Sequence, residues 1–151
     1  MAEAVGLSKH AFLAGADPAL IKLIEPNARP VVIPAGSFVY REGEASDEFY
    51  LIESGRVAVE INAGGGGAVT IETLHDGDIL GWSWVVPPYR KSFDARAVEE
   101  TRAIAVNAPK VRALLEKNRE LGYEMLKRII AVVAKRLQCT RLQVLDVYGL
   151  R

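Results

Sequence analysis

Between Gly81 and Ala97 the chain carries an aromatic and basic cluster: Trp82, Trp84, Tyr89 and Phe93 beside Arg90, Lys91 and Arg96. Aromatic faces stack on flat rings, and guanidinium or ammonium groups pair with anions. The set therefore fits a small ring-bearing anion, or equally an aromatic plug that fills a pocket. Pro87-Pro88 stiffens the segment under either reading. Asp94 and Arg96 alternate on an expected strand, so they share a face and predict a surface ion pair.

No group of residues predicts catalysis or a metal centre. The two histidines, His10 and His75, lie far apart in the pattern, and neither has a nucleophile to serve. Ser83 follows an aromatic residue and lacks a base. Cys139 is the one cysteine, which excludes a disulfide framework and multi-cysteine zinc sites. It falls on an apolar helical stripe, where an inert buried thiol is expected. The chain is read as a non-enzyme.

Composition bounds the remaining classes. The 151 residues make one domain of ordinary size, half hydrophobic and one quarter charged. Nineteen Lys and Arg balance nineteen Asp and Glu, so net charge gives no argument for nucleic acid or an anionic membrane. No apolar run reaches the roughly 18–20 residues of a membrane span, and the N-terminus lacks a signal pattern. A cytoplasmic setting is expected.

Three zones must position the cluster. Residues 1–29 read as helical: Asp17 caps, Pro18 takes the first helical position, and Leu20, Leu23 and Ile24 form a stripe that stops near Pro26-Asn27. Residues 30–107 read as β, with strands expected at 31–33, 37–40, 48–52, 56–61, 68–74, 93–97 and 101–106. Gly-bearing turns separate these strands, and the run Gly64–Gly67 reads as a hairpin tip. Residues 109–148 read as helical, a short helix from Pro109 to Leu115 and a long one from about 118 to 147. Along the long helix Leu126, Ile130, Val133, Leu137, Thr140 and Val144 form a heptad seam. A second stripe, Met125, Ile129, Val132 and Cys139, lies beside it. One stripe is expected to pack on the β-body and the other to face a partner. Arg119, Lys127, Arg128, Lys135, Arg136 and Arg141 are read as a solvated flank.

The segments Ile33–Gly36, Arg41–Glu44, Glu48–Val59, Leu74–Gly81 and Arg136–Thr140 together resemble the cyclic-nucleotide-binding domain family, most closely the sensor half of the bacterial CRP/FNR transcription regulators. The resemblance covers nearly the whole chain and implies one domain over residues 1–151. It implies a mainly β fold with flanking helices: a double-stranded β-helix (jelly roll) ending in a long helix. It also implies that Gly81–Ala97 is the cassette that wraps a cyclic phosphate, with Gly81, Trp82, Ser83, Trp84, Arg90, Lys91, Ser92 and Phe93 as candidate ligand-binding residues. Thr140 and Arg141 fall where the family's dimer helix reaches the base of the nucleotide.

Three cassette positions depart from the family. Trp82 stands where a glutamate holds the ribose hydroxyl, Lys91 where an arginine pairs with the phosphate, and Phe93 where a small residue is usual. Losing a charged hydrogen-bond partner costs about 1.5–3 kcal/mol, which is roughly tenfold to a hundredfold in affinity. Tight cyclic nucleotide binding is therefore not expected. The sequence ends after the long helix without a helix-turn-helix, so direct DNA binding is not expected either. Two readings remain. One is a sensor for a cyclic nucleotide or other small anionic ligand, dimeric through the long helix and read by a partner protein. The other is a constitutive dimerisation or interaction module whose pocket is closed by its own aromatic side chains.

Overall fold

The computed structural model describes residues 6–62, 65 and 67–149. Of the glycine run, Gly64 and Gly66 lie outside the described residues. The N-terminal segment is helical in short pieces, with 3-10 turns at Leu7–Lys9 and Ala11–Leu13 followed by helix α1, Pro18–Ile24. Asp17 caps α1 as expected, its Oδ1 accepting from the Ala19 amide at 2.9 Å. His10 ties this segment to the β-body: its Nε2 donates to the Ile52 carbonyl at 2.8 Å while Nδ1 accepts from the Phe12 amide. It is a structural residue.

Eight strands follow: β1 Ala28–Ile33, β2 Phe38–Tyr40, β3 Glu48–Ser54, β4 Val57–Asn62, β5 Ala68–Leu74, β6 Ile79–Leu80, β7 Asp94–Ala97 and β8 Thr101–Asn107. They form two antiparallel four-stranded sheets, ordered β1-β8-β3-β6 and β2-β7-β4-β5. This is the jelly roll, mainly β with flanking helices, that the family resemblance implies. The two-residue β6 is an addition, too short to show periodicity in sequence. Gly55 shows why the corners need glycine: its φ is +115°, and a Cβ there would sit 2.5 Å from Thr101 Oγ1 and 2.7 Å from the Glu100 carbonyl.

Two helices close the chain, α2 Ala108–Lys117 and α3 Arg119–Val147. Asn107 and Asn118 cap them through their side-chain oxygens. The stripe Leu121, Met125 and Ile129 is buried against α1, the N-terminal turns and the inner face of β3 and β8. The seam residues Leu126, Ile130, Leu137 and Val144 are exposed. The stripes thus divide into one buried and one exposed, but Val133, Cys139, Arg128 and, as the cavity below shows, Arg136 depart from the expectation. Val133 packs against the core cluster rather than outward, because a straight helix of 3.6 residues per turn drifts from a heptad line. Cys139 is exposed, not buried, because it faces open space between α3 and the roll instead of packed side chains. Arg128 is no solvated flank: its Nη1 donates to the Phe12 and Ala14 carbonyls and its guanidinium pairs with Glu124.

Candidate functional site

The cassette leaves β6 at Gly81, whose φ of +90° turns the chain away from β3. A single 3-10 turn, Ser83–Val85, then parts the side chains, leaving Trp82 and Ser83 on the outer side and Trp84 and Val85 against the core. Trp84 goes inward. It is fully buried and stacks on Phe49 with centroids 4.6 Å apart and planes 11° apart. Its Nε1 is the one buried side-chain polar atom without a hydrogen-bond partner among the described residues. Ser83 faces the other way, 3.2 Å from the Ser46 hydroxyl. Helix α2 clamps the turn: Arg112 Nη1 donates to the Trp84 carbonyl at 2.6 Å, and its guanidinium covers the Tyr89 ring at 3.8 Å.

On the outer side lies a cavity of about 370 Å³ between the roll and α3. The cassette contributes Gly81, Trp82, Ser83, Ser92 and Phe93 to its lining. The sheet adds Tyr40, Val59, Ile71, Glu72 and Leu80, and α3 adds Val133, Arg136, Leu137, Cys139, Thr140 and Gln143. Trp82 is half-buried and also packs against the core cluster beneath. Thr140 Oγ1 donates to the Arg136 carbonyl at 3.0 Å. Arg136 Nε stands 3.2 Å from Glu72 Oε2, and its Nη2 donates to the Ile79 carbonyl. Burial pushes the Glu72 carboxyl above its usual range, with Asp78 adding to the shift and Arg136 opposing it. Burial likewise raises the Tyr40 hydroxyl.

Six of the ten expected ligand-binding residues therefore share this cavity: Gly81, Trp82, Ser83, Ser92, Phe93 and Thr140. Four do not. Trp84 belongs to the core, because the turn points it there. Arg90 is exposed and donates to the Gly43 carbonyl at 3.1 Å. Arg141 lies along the exposed helix face with Ala134, Leu137, Gln138 and Leu142. Lys91 is buried beneath the cavity floor: its Nζ donates to the Glu48 carbonyl at 2.8 Å and sits 4.2 Å over the Tyr40 ring. Burial lowers its pKa from 10.5 to about 8, against the nearby carboxylates Glu48, Asp47 and Glu44. A Cβ on Gly81 would stand 3.0 Å from this ammonium.

The pairing expected between Asp94 and Arg96 is replaced by two others. Asp94 is buried, accepts from the Glu42 amide at 2.7 Å and lies 3.6 Å from Arg41. Arg96 instead forms a two-pronged bond to Glu60 on the neighbouring strand β4. Glu60 stands opposite Asp94 on β4, one diagonal step from Arg96, a separation that the long guanidinium side chain spans. The residues that sequence reasoning missed are Arg136, Glu72 and Arg112. Arg136 had a legible signal, since it lies one turn before Thr140; Glu72 and Arg112 had none.

The profile of the cyclic nucleotide-binding domain matches residues 30–118, from β1 to the end of α2. The chain belongs to that family. It is 26% identical over 140 residues to the CRP-like cAMP-activated global transcriptional regulator of Mycobacterium tuberculosis, covering 93% of this chain. The chain spans 61% of that regulator's length. A Geobacter metallireducens GS-15 structure, solved as a candidate cyclic nucleotide-binding protein, superposes with a TM-score of 0.79 at 26% identity, over 87% of this chain and 96% of that one. The Thermus thermophilus catabolite activator protein superposes at 0.69 and 24% identity, over 92% of this chain and 63% of that one. It shows the shared fold. Among the described residues, no helix is long and apolar enough to cross a membrane, and no three His, Cys, Asp or Glu side chains converge on a metal position.

Proposed function

We propose that this member of the cyclic nucleotide-binding domain family is a non-enzymatic regulatory domain, extending over residues 1–151, that senses a small ligand in the cavity between roll and helix. We further propose that it holds cAMP and cGMP weakly. One observation carries the reading: the cassette and α3 line the same 370 Å³ space, so an occupant touches both and biases the position of the helix. The open cavity favours a sensor over a pocket sealed by aromatic side chains. Weak cyclic nucleotide affinity follows from the indole of Trp82 at the ribose position and from Lys91, whose ammonium already serves the Glu48 carbonyl.

The homodimer is part of the same proposal. Leu126, Ile130, Leu137 and Val144 are 49%, 62%, 51% and 50% exposed. Together they offer an apolar seam of the kind a second copy covers. A partner protein that reads the helix position completes the sensing scheme. Were the cavity never to fill, this seam would still support a constitutive dimerisation module.

Thermal-shift and calorimetric titrations test the ligand reading. A ligand at 100 times its Kd adds about 2.7 kcal/mol of stability. Cyclic AMP and cyclic GMP are expected to bind weaker than micromolar, and Trp82→Glu combined with Lys91→Arg is expected to tighten cyclic AMP binding at least tenfold. Micromolar binding of either nucleotide by the wild type would overturn the weak-affinity part of the reading.

A further inference from the structure

A second open space lies on the other side of the cassette turn. It is a groove of about 370 Å³ between α2, α3 and the turn, and none of its lining residues lines the cavity beside Trp82. Leu115, Met125 and Leu126 supply apolar walls, with Val85 and the buried Trp84 next to them. Gly122 lets the two helices meet closely at one side: a Cβ there would stand 2.9 Å from the Leu115 carbonyl. The indole Nε1 without a hydrogen-bond partner belongs to Trp84, so the groove borders an unmet polar demand as well as apolar surface. Its volume lies toward the small end of the roughly 300–1,000 Å³ range of small-molecule sites.

Three charged side chains stand around the groove: Arg112, Arg119 and Glu116. Arg112 is held by uncharged groups, the Trp84 carbonyl and the Tyr89 ring. Arg119 and Glu116 form no ion pair among the described residues. Two guanidinium groups against one carboxylate leave one positive charge uncancelled at the edge of apolar walls. Charge complementarity there calls for one negative charge on an apolar body, and a guanidinium fork fits a carboxylate. A dianion would bring a second charge to be desolvated with nothing to cancel it.

We propose that this groove is a second ligand site, for a small apolar monocarboxylate such as a short fatty acid or an aromatic acid. The site stands apart from the sensing reading above, which survives its failure. An occupant touches the cassette at Val85 and α3 at Met125 and Leu126, so it meets the same two elements that line the cavity beside Trp82. Leu126 belongs to the exposed seam as well, and the groove therefore borders the proposed dimer face.

Heteronuclear NMR titration of the full chain tests the site, with octanoate and cinnamate as probes and octanol and cinnamyl alcohol as their uncharged counterparts. The two indole N–H resonances come from Trp82 and Trp84, and Trp82→Phe assigns them. Both acids are expected to give saturable shifts that are largest at the Trp84 indole and the Gly122 amide, and smaller at Ser92 and Thr140. Each acid is expected to bind at least tenfold tighter than its alcohol. Arg119→Gln is expected to cut that ratio about threefold, the scale of one exposed charge pair. Because Arg119 is exposed, the same change should leave the alcohol affinities and the melting temperature where they are. Silence at Trp84 and Gly122 overturns the site, as do shifts that are largest at Ser92 and Thr140. Equal binding of acid and alcohol, or a ratio that Arg119→Gln leaves intact, overturns the carboxylate assignment.

Discussion

Trp82 and Trp84 stand two residues apart around one 3-10 turn, yet they belong to different regions. Trp84 is sealed against Phe49 in the core that the N-terminal segment, α2 and α3 share, its carbonyl gripped by Arg112. Trp82 is half-buried and presents its surface to an open cavity. The inner region is buried and apolar, and the outer one keeps space, hydroxyls and an ion pair. The difference teaches that the cassette has two jobs. One indole fixes the cassette to the helices, and the other forms part of the cavity wall. The unpartnered Nε1 of Trp84 is a cost accepted for that anchoring.

Breaking the inner anchor is expected to have the largest effect on stability. Trp84→Ala should cost about 3–5 kcal/mol in denaturant unfolding, the range for removing a buried Trp. Trp82→Ala should cost far less, and equal losses would erase the distinction between the two regions. Next in size is Gly55→Ala, which forces a Cβ to within 2.5 Å of Thr101 Oγ1 at a positive φ. Overpacking of this kind costs about 1–3 kcal/mol, seen as a lower melting temperature.

A smaller effect sharpens the boundary between the regions through Lys91, which lies between them. Its native pKa is lowered to about 8 while the unfolded lysine keeps 10.5. From pH 8 upward the unfolded chain therefore binds more protons than the native one, so stability rises with pH. Below pH 8 both states are protonated and this contribution is flat. The rise is expected up to about pH 10, above which unfolded tyrosines ionise while buried Tyr40 resists and the sign turns. Lys91→Met should abolish this rise, as read by denaturant unfolding at pH 8 and pH 10. The smallest stability change is expected at the exposed seam. Measured at protein concentrations too low for dimers, Ile130→Asp and Leu137→Asp should shift unfolding by no more than about 0.5 kcal/mol, while at high concentration light scattering reports loss of the dimer. A wild-type monomer at high protein concentration would remove the dimer from the proposal.

Much of the architecture was written in local sequence. Asp17-Pro18 marks the start of α1, and Ala68–Leu74 is a strand with the bounds its β-branched residues imply. Gly55 and Gly81 stand at turns of positive φ, which glycine adopts without strain. Turn chemistry and helical period act over a few residues, so they can be read without the fold. The cassette was also locatable as a segment, and its aromatic and basic makeup was plain.

The direction in which each cassette side chain points was not locally encoded. Both indoles and both basic residues carry the same local character, and only the turn at Ser83–Val85, the grip of Arg112 and the carbonyl of Glu48 sort them into core, cavity and surface. Arg136 and Arg128 look like solvent-facing cations on a helix, until β6 and the N-terminal segment bring carbonyls to meet them. Glu72 is one acid among nineteen acidic residues until α3 lies across it. Residue type and short-range spacing thus determined the strands, their corners and the long helix. Which charges cancel, and hence what the cavity can hold, depends on distances between groups far apart in the chain, and those exist only once the sheets and α3 have packed.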